Sequence, residues 1–178
     1  MKYCSLCGSQ LVKKIPEDDN RERDCCEACG MIHYSNPKII VGTIPIKDNS
    51  VLLCKRAIEP RYGKWTLPGG FLENGETVSQ GAFRETFEET NTEVEMGDLY
   101  AIFNVPQINQ VYMLYLAKVI ADDYSATSES LEVQFFKEDD IPWEELAFPF
   151  VPMALKNFFA DQKTGEYPLT THTIERRK

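Results

Sequence analysis

The stretch GGFLENGETVSQGAFRETFEET, from Gly69 to Thr90, decides the fold of this chain. It holds five carboxylates and a single cation, Arg84. The segment from residue 76 to residue 91 contains no proline and a single glycine, so it is predicted to form a helix of about four turns. Thr77 suits the N-cap of this helix, and Asn91 suits the left-handed position that follows its last turn.

Three glutamates of this predicted helix, Glu85, Glu88 and Glu89, are spaced i, i+3 and i+4 and therefore share one face. Like charges at this spacing destabilise a helix, so the face is either simply solvated or offset by a cation. Arg84 lies beside them and can hold one carboxylate through two hydrogen bonds. The preceding Pro-Gly-Gly at 68–70 allows the backbone to approach a ligand closely. Hard oxygen ligands in this number favour Mg²⁺ or Mn²⁺ bound together with substrate phosphates.

From Gly70 to Thr92 the chain reads G-x5-E-x7-R-E-T-x-E-E-x-N-T. This pattern resembles the Nudix box, G-x5-E-x7-R-E-U-x-E-E-x-G-U, in which U is apolar, and every charged position matches. Thr86 and Thr92 stand at apolar positions and Asn91 stands in place of glycine. These departures concern the packing and the C-terminal cap of the helix, and leave the expected metal ligands intact. The segment GKWTLPGG, residues 63–70, also resembles what the family carries before the box.

The resemblance implies a metal-dependent enzyme, a Nudix hydrolase that cleaves a diphosphate linked to a further group. It implies that Glu85 and Glu89, helped by Glu88 and the carbonyl of Gly69, hold the Mg²⁺ or Mn²⁺ ions, and that Arg84 positions Glu85. Such ions bridge the two phosphates, neutralise the charge of the leaving group and acidify the attacking water.

Other Nudix enzymes often recruit a distant carboxylate as a base or as an extra ligand. The segment SESLEVQFF offers Glu129 and Glu132 at the start of a predicted strand. Either residue is equally consistent with a charge on the solvated surface.

Candidate contacts to substrate come from a further set of residues. Arg56 ends an apolar strand and can reach a phosphate, or it is a surface cation. Tyr112 and Phe103 can stack on adenine or flavin, although aromatic residues on strands are more often part of the core. Gln110 can bind the edge of a base, or it lies at a solvated strand end. Gly70 allows the backbone to approach the substrate.

Five of the six cysteines fall within the first 29 residues. Cys4-x2-Cys7 and Cys26-x2-Cys29, each followed by glycine, are separated by 18 residues, which is the spacing of a four-thiolate zinc site. The alternatives are a reducible disulfide pair or idle thiols. Cys25 could replace Cys26, but Cys25-x3-Cys29 is the less common spacing, so Cys26 is predicted to be the ligand.

Residues 1–34 are therefore predicted to form a zinc ribbon and residues 35–178 a Nudix hydrolase domain. Because a structural four-thiolate site leaves no open position for chemistry, the ribbon is expected to support folding or dimerisation. The expected fold is α+β, an α/β/α sandwich with a mixed sheet between helices. The predicted strands are 39–46, 50–56, 93–105, 110–120 and 131–136, and further helices are predicted at 138–146 and 152–162.

Composition limits the remaining function classes. The net charge is −9, and residues 1–38 are balanced with six basic and six acidic residues, so the acidic excess lies downstream. This argues against a general nucleic-acid binder. No apolar run approaches the roughly 20 residues of a membrane span, and the first residues, MKYCSLCGSQ, contain no secretory signal. A cytoplasmic protein without a membrane partner is expected.

A zinc ribbon before a Nudix domain resembles two enzyme groups. One contains the NADH pyrophosphatases, which also remove NAD caps from RNA, and the other the FAD and ADP-ribose pyrophosphatases. The NADH group carries S-Q-P-W-P-F-P-x-S after the box, where this chain reads FNVPQINQVYM. NPKIIVGTI, IPWEELAF and THTIERR instead resemble the FAD group.

The expected reaction is therefore hydrolysis of FAD to FMN and AMP, with ADP-ribose as a second substrate. The alternatives are NADH, NAD or NAD-capped RNA as substrate. An alternative of another class is a nucleotide-sensing or RNA-binding regulator with a zinc-ribbon module. Regulators of this family commonly lose glutamates of the box, and this chain keeps all of them. The resemblance also implies a homodimer.

Overall fold

The structure is a computed structural model that describes residues 1–120 and 123–175. Its internal contacts divide the chain into two compact units, Met1–Asn36 and Pro37–Lys178. The last two residues of the THTIERR segment, Arg176 and Arg177, lie outside the described residues. None of the helices in the described residues combines the length and the apolar character of a membrane span.

The first unit is a small antiparallel sheet of three strands, β1 (Val12–Lys14), β2 (Arg23–Cys25) and β3 (Ile32–His33). Each CxxC pair forms a tight turn that closes on the glycine after it. The N–H of Gly8 donates to the carbonyl of Cys4 at 3.0 Å, and the N–H of Gly30 donates to that of Cys26 at 2.9 Å. Both glycines have a φ of 75°, a conformation in which a Cβ is strained, so each turn requires the glycine that follows its CxxC pair.

The second unit is built on a mixed sheet of eight strands, in which β4 runs parallel to β9 and β8 runs parallel to β11. The order along the sheet is β10-β5-β4-β9-β8-β11, with β6 paired to β5 and β7 paired to β4. The strands are β4 (Lys38–Lys47), β5 (Ser50–Arg56), β6 (Trp65–Thr66), β7 (Gly69–Phe71), β8 (Val94–Val105), β9 (Gln110–Val119), β10 (Ser130–Phe136) and β11 (Thr170–Thr173).

The predicted acidic helix is confirmed as α1 (Val78–Thr90). Thr77 caps its first turn by accepting a hydrogen bond from the backbone N–H of Gln80, and the Gln80 side chain reaches back to the N–H of Thr77. This reciprocal capping box satisfies two backbone donors of the first turn. Asn91 ends the helix in the left-handed conformation, with a φ of 51°, as its position in the sequence predicted.

Thr86, which departs from the apolar residue of the box, is fully buried in α1. Its hydroxyl lies 2.6 Å from that of Thr43 on β4 and donates to the carbonyl of Ala82 at 2.7 Å. A buried hydroxyl with partners carries little penalty. The two threonines thus replace an apolar contact with a satisfied polar one.

The second long helix is α2 (Phe150–Thr164), which contains the predicted segment 152–162. A helix was also predicted over EDDIPWEEL, and this prediction is wrong. That segment forms two short 3₁₀ helices, Glu138–Asp140 and Trp143–Glu145. Pro142 separates them because proline cannot donate to a helical hydrogen bond and disfavours a helical conformation in the residue before it. A third short 3₁₀ helix spans Pro106–Ile108.

The two long helices cover opposite faces of the sheet. On β4, Val41 and Thr43 face α1, since Val41 lies beside Gly81 and Thr43 contacts Thr86. The intervening side chains of a strand point to the other face, where Ile44 joins the core beneath α2. This arrangement confirms the predicted sandwich. The largest fully buried side chains of that core are Tyr100, Phe103, Phe158 and Phe159.

One edge of β4 binds two different strands. Near its end, Ile46 and Lys47 pair with β5, while Ile40–Gly42 pairs with β7. The backbones of β4 and β7 approach so closely that a Cβ added at Gly42 would overlap the carbonyl of Pro68. This fork in the sheet places the backbone of β7 directly beside the acidic residues of α1.

Candidate active site

A cleft of about 580 Å³ opens beside the fork in the sheet. One wall consists of the acidic side chains of α1 and the backbone of β7, and the other consists of apolar side chains with one cation. Most of the residues predicted as site residues line this cleft: Arg56, Gly69, Gly70, Arg84, Glu85, Glu88, Glu89, Gln110, Tyr112 and Glu129.

Arg84 organises the acidic wall, but its main partner is Glu76. Its Nε and Nη2 donate to the two oxygens of Glu76 at 3.0 and 2.8 Å. Its Nη1 donates to Glu85 at 2.8 Å and to Glu88 at 2.9 Å, and Nη2 also reaches the carbonyl of Phe71 at 3.1 Å. The guanidinium lowers the pKa of Glu76 to about 2. Arg84 thus ties three carboxylates to β7, a larger role than positioning Glu85 alone.

Glu89 is the most deeply buried of the acidic groups, with 5% of its surface exposed. Its Oε2 accepts the backbone N–H of Gly69 at 3.0 Å and contacts Cys54 Sγ at 3.3 Å. Burial raises the pKa of Glu89 to about 7, against the opposing effect of the Gly69 N–H, and burial also raises the pKa of Glu85. Burial thus disfavours the charged forms of two neighbouring carboxylates. A cation bound beside them would stabilise those charged forms.

The donor set of this wall fits Mg²⁺ or Mn²⁺, because its side chains offer hard carboxylate oxygens and outnumber the single guanidinium beside them. Among the described residues, however, the four cysteines of the first unit form the only group of three or more potential metal ligands whose ligand atoms all lie within 4.8 Å of one another. The carboxylate oxygens of Glu85, Glu88 and Glu89 therefore do not all lie within that distance of one another. Their roles as metal ligands, with the Gly69 carbonyl, remain a proposal.

The two distant carboxylates have different surroundings. Glu129 lines the cleft, and its charge contributes with burial to the raised pKa of Glu85. Glu132 lies outside the cleft and forms an ion pair with Lys55 at 2.6 Å. Glu132 is thus not among the residues that line the cleft, and its role as a catalytic residue stays a prediction.

The prediction that Phe103 stacks on the substrate is wrong, because its side chain lies in the core. It is completely buried, at 0% exposure, and its ring stacks on His172 at 5.1 Å and lies 5.7 Å from Phe150. It is a core residue and does not reach the cleft. Tyr112 does line the cleft, and its hydroxyl donates to Gln110 Oε1 at 2.9 Å.

The apolar wall contains residues that the sequence did not single out. Phe148 lies beneath the guanidinium of Arg56 at 5.1 Å, and Arg56 Nε donates to the carbonyl of Pro60 at 2.8 Å. Ile58 and Ile108 also line the cleft although they are 44% and 54% exposed. Large apolar side chains left exposed in a cleft are typical of a surface that binds a planar or apolar ligand part.

The cysteine cluster of the first unit has the dimensions of a zinc site. Cys4 Sγ lies 3.7 Å from Cys29 Sγ, and Cys7 Sγ lies 3.4 Å from Cys26 Sγ. Two thiolates bound at about 2.3 Å to one tetrahedral zinc ion lie about 3.8 Å apart, so these residues fit Zn²⁺. The backbone N–H of Cys7 and the side chain of His33 lower the pKa of Cys4 to about 6, which favours the thiolate.

Cys25 takes no part in this cluster. It is buried, and its Sγ lies 4.0 Å from the carbonyl of Lys14 on β1. The choice of Cys26 over Cys25 agrees with this geometry.

The metal-free protein is expected to lose stability as the pH rises through 7, because of Glu89. A glutamate in an unfolded chain has a pKa of about 4.3, whereas that of Glu89 in the fold is about 7. The folded state therefore holds the proton more tightly, and this contribution, fully present below about pH 4, is lost as the pH rises through the folded value. Thermal unfolding in magnesium-free buffer should show Glu89→Gln gaining stability relative to the wild type between about pH 4.5 and pH 7, with little further change above about pH 7.5. Parallel pH dependences of the two proteins would contradict this.

Comparison with known proteins agrees with the geometry. The profile of the family described as NUDIX domain matches residues 36–155, and that described as Nudix N-terminal matches residues 2–35. An ADP-ribose pyrophosphatase from Methanocaldococcus jannaschii is 34% identical over 119 residues, which are 65% of this chain and 69% of that protein. The NAD-capped RNA hydrolase NudC from Escherichia coli is 28% identical over 144 residues. That match covers 79% of this chain but only 53% of NudC.

Among solved structures, a NUDIX hydrolase from Nitrosomonas europaea superimposes with a TM-score of 0.96 and 49% sequence identity. The superposition covers 99% of this chain and 100% of that one. The family profile, the fold and the acidic cleft lead to the same assignment: the chain belongs to the Nudix family and is a Nudix hydrolase.

Proposed function

We propose that this Nudix hydrolase cleaves the diphosphate of a dinucleotide or nucleotide sugar, with FAD as preferred substrate and ADP-ribose as the second. The observation that carries the proposal is the composition of the cleft, which sets an acidic wall with Arg84 against an apolar wall with Arg56. A dinucleotide has the matching parts, a charged diphosphate between planar rings. The ADP-ribose pyrophosphatase of Methanocaldococcus jannaschii supports this substrate class.

In the proposed reaction, water adds to one phosphorus, the bridging phosphorus–oxygen bond breaks, and the other phosphate leaves. FAD then gives FMN and AMP. Bound Mg²⁺ or Mn²⁺ would supply charge neutralisation and a more acidic water. Glu85, Glu88 and Glu89, with the Gly69 carbonyl, would hold the cations.

Arg84, Arg56 and Glu129 would each have a role in the reaction that follows from their contacts. Arg84 keeps Glu85 and Glu88 directed to the cleft through Nη1. Arg56, held by Phe148 and the Pro60 carbonyl, presents its remaining N–H groups to a phosphate. Glu129 lines the cleft and is the candidate to take a proton from the attacking water. Proton acceptance of this kind requires a carboxylate within hydrogen-bond reach of the water.

Phe148, Ile58 and Ile108 would hold the ring systems of the substrate. Stacking a flavin or an adenine over these side chains removes apolar surface from water, and that gain orients the diphosphate toward the acidic wall. A flavin is larger than a nicotinamide and buries more of such a surface, which favours FAD within this substrate class.

Hydrolysis of NADH, NAD or NAD-capped RNA is the second candidate. The observation that favours it is the match to NudC over most of this chain. A role as a nucleotide-sensing or RNA-binding regulator is the candidate of another class, and the intact acidic wall argues against it.

A turnover panel with FAD, ADP-ribose, NADH, NAD and NAD-capped RNA is the direct test, run with Mg²⁺ and with Mn²⁺. FAD should show the highest kcat/KM, with FMN and AMP as its products by chromatography. Because the apolar wall favours the larger ring, we expect kcat/KM for NADH to be at least about tenfold lower than for FAD, a difference of roughly 1.4 kcal/mol in transition-state stabilisation.

Two outcomes contradict this ranking. Faster hydrolysis of NADH or NAD-capped RNA would favour the second candidate. No turnover of any substrate with either cation would favour the regulator.

In the first unit we propose a structural Zn²⁺ on the four cysteines, and the homodimer remains a prediction.

A further inference from the structure

Cys54 contacts the acidic wall from inside the protein. It lies on β5 with 1% of its surface exposed, and its Sγ is 3.3 Å from Glu89 Oε2 and 3.6 Å from the carbonyl of Thr66. An ordinary thiol keeps its proton at neutral pH and is a weak hydrogen-bond donor, so Cys54 can donate to either oxygen. Of these two acceptors, the carboxylate of Glu89 lies closer to the sulfur than the carbonyl of Thr66 does.

The oxygen that Cys54 contacts is already engaged. The N–H of Gly69 on β7 donates to the same Oε2 at 3.0 Å. Two donors from two strands thus converge on one oxygen of Glu89, and they leave Oε1 as the oxygen available to the cleft. A carboxylate held in this way can give only one oxygen to a cation.

We propose that Cys54 is a positioning residue that restricts Glu89 to binding a divalent cation through Oε1 alone. The inference rests on the proposed function, because it requires Glu89 to be a metal ligand. Mg²⁺ demands near-ideal octahedral geometry and takes single oxygens from carboxylates, whereas the larger Ca²⁺ accepts carboxylates that bind through both oxygens. The thiol therefore favours the smaller cation. Partners of metal ligands that act in this way typically change metal affinity by about 10- to 100-fold.

A buried cysteine can also serve only to fill space, so the test separates these two roles. Cys54→Ala and Cys54→Val remove the donor, and Cys54→Ser replaces it with a hydroxyl. Val51→Ala is the matched control, because Val51 lies on the same strand, is fully buried and belongs to the core on the α2 side. It loses packing without touching Glu89.

The primary readout is Mn²⁺ binding to the zinc-loaded full chain without substrate, followed by the EPR signal of free Mn²⁺. Cys54→Ala and Cys54→Val should bind Mn²⁺ about tenfold more weakly than the wild type. Cys54→Ser should stay within about threefold, because a hydroxyl also donates. Inhibition of the Mg²⁺-dependent reaction by Ca²⁺ should become stronger in the Ala and Val variants. Val51→Ala should bind Mn²⁺ like the wild type, although its melting temperature falls.

The inference is overturned if the Ala and Val variants bind Mn²⁺ as the wild type does, or if Val51→Ala weakens binding to the same degree. Glu89→Gln distinguishes this failure from a failure of the proposed function. If Glu89→Gln binds Mn²⁺ as tightly as the wild type, Glu89 is not a ligand and both proposals fall. If only Glu89→Gln weakens binding, the proposed function stands and the role of Cys54 is refuted.

Discussion

Glu89→Gln is expected to lower kcat/KM by about a thousandfold or more with Mg²⁺ present. Glutamine has the shape of glutamate, and its amide oxygen can still accept the N–H of Gly69 that now binds Glu89 at 3.0 Å. What is lost is the negative charge, which is the property that a cation bound against a diphosphate requires. The fold should remain intact, and circular dichroism with a thermal melt will confirm this. Steady-state kinetics on FAD and ADP-ribose measure the effect.

Glu132→Gln is the matched control for this prediction. It makes the same chemical change on a glutamate that is paired with Lys55 outside the cleft. Because surface ion pairs contribute little, its kcat/KM should stay within about threefold of the wild type. Full activity in Glu89→Gln would refute the role of Glu89. A comparable loss in both variants would show that charge in general matters, and that this carboxylate has no special place.

Cys26→Ser is expected to abolish stoichiometric zinc and to unfold residues 1–36. The short strands of this unit bury few apolar side chains, so metal binding has to supply its stability. In small zinc domains this contribution amounts to about 10–16 kcal/mol. Zinc content by mass spectrometry and limited proteolysis of the first unit measure the loss. The melting transition of the second unit, Pro37–Lys178, should be retained, because that unit has its own core.

The neighbouring thiol supplies the control. Cys25→Ser removes the adjacent sulfur, which lies outside the cluster near the Lys14 carbonyl, and should leave one zinc per chain. Zinc retained in Cys26→Ser but lost in Cys25→Ser would show that the ligand set has been assigned incorrectly. Zinc absent from the wild-type protein purified without chelators would refute the site as a whole.

Features that depend on residues close in sequence were predictable. The helix from Val78 to Thr90 has its cap residues, spacing and acidic face within one short segment. The two CxxC pairs, each followed by glycine, likewise carry the signal for a tight turn within a few consecutive residues. Such patterns act through local geometry, so they can be recognised before any tertiary structure is known.

Features that depend on strand register were not predictable. A register shift between Ser130 and Glu132 brings Glu132 opposite Lys55 and leaves Glu129 at the cleft. Likewise, the sequence of β8 does not reveal which of its faces meets the core beneath α2, and Phe103 lies on that face. A shift by one residue exchanges the two faces of a strand, and it can be read only from the partner strand.

The apolar wall was missed for a related reason. Phe148, Ile58 and Ile108 come from three separate connections that only the sheet topology brings together. The contact of Cys54 with Glu89 likewise joins a strand to a helix that lies 35 positions away. Strands β7 and β11 are short and pair with partners distant in sequence, so their own residues carry little signal.

The absence of a side chain at Gly70 leaves room for the carboxylate of Glu85. A Cβ built there would overlap the carboxylate of Glu85, whose carboxyl carbon would lie 2.6 Å away. Glycine at 70 and the acid at 85 therefore share one volume. Alanine at position 70 would force the carboxylate of Glu85 to move, and the proposed cation would then lose a ligand from its present position even though the fold can tolerate the change.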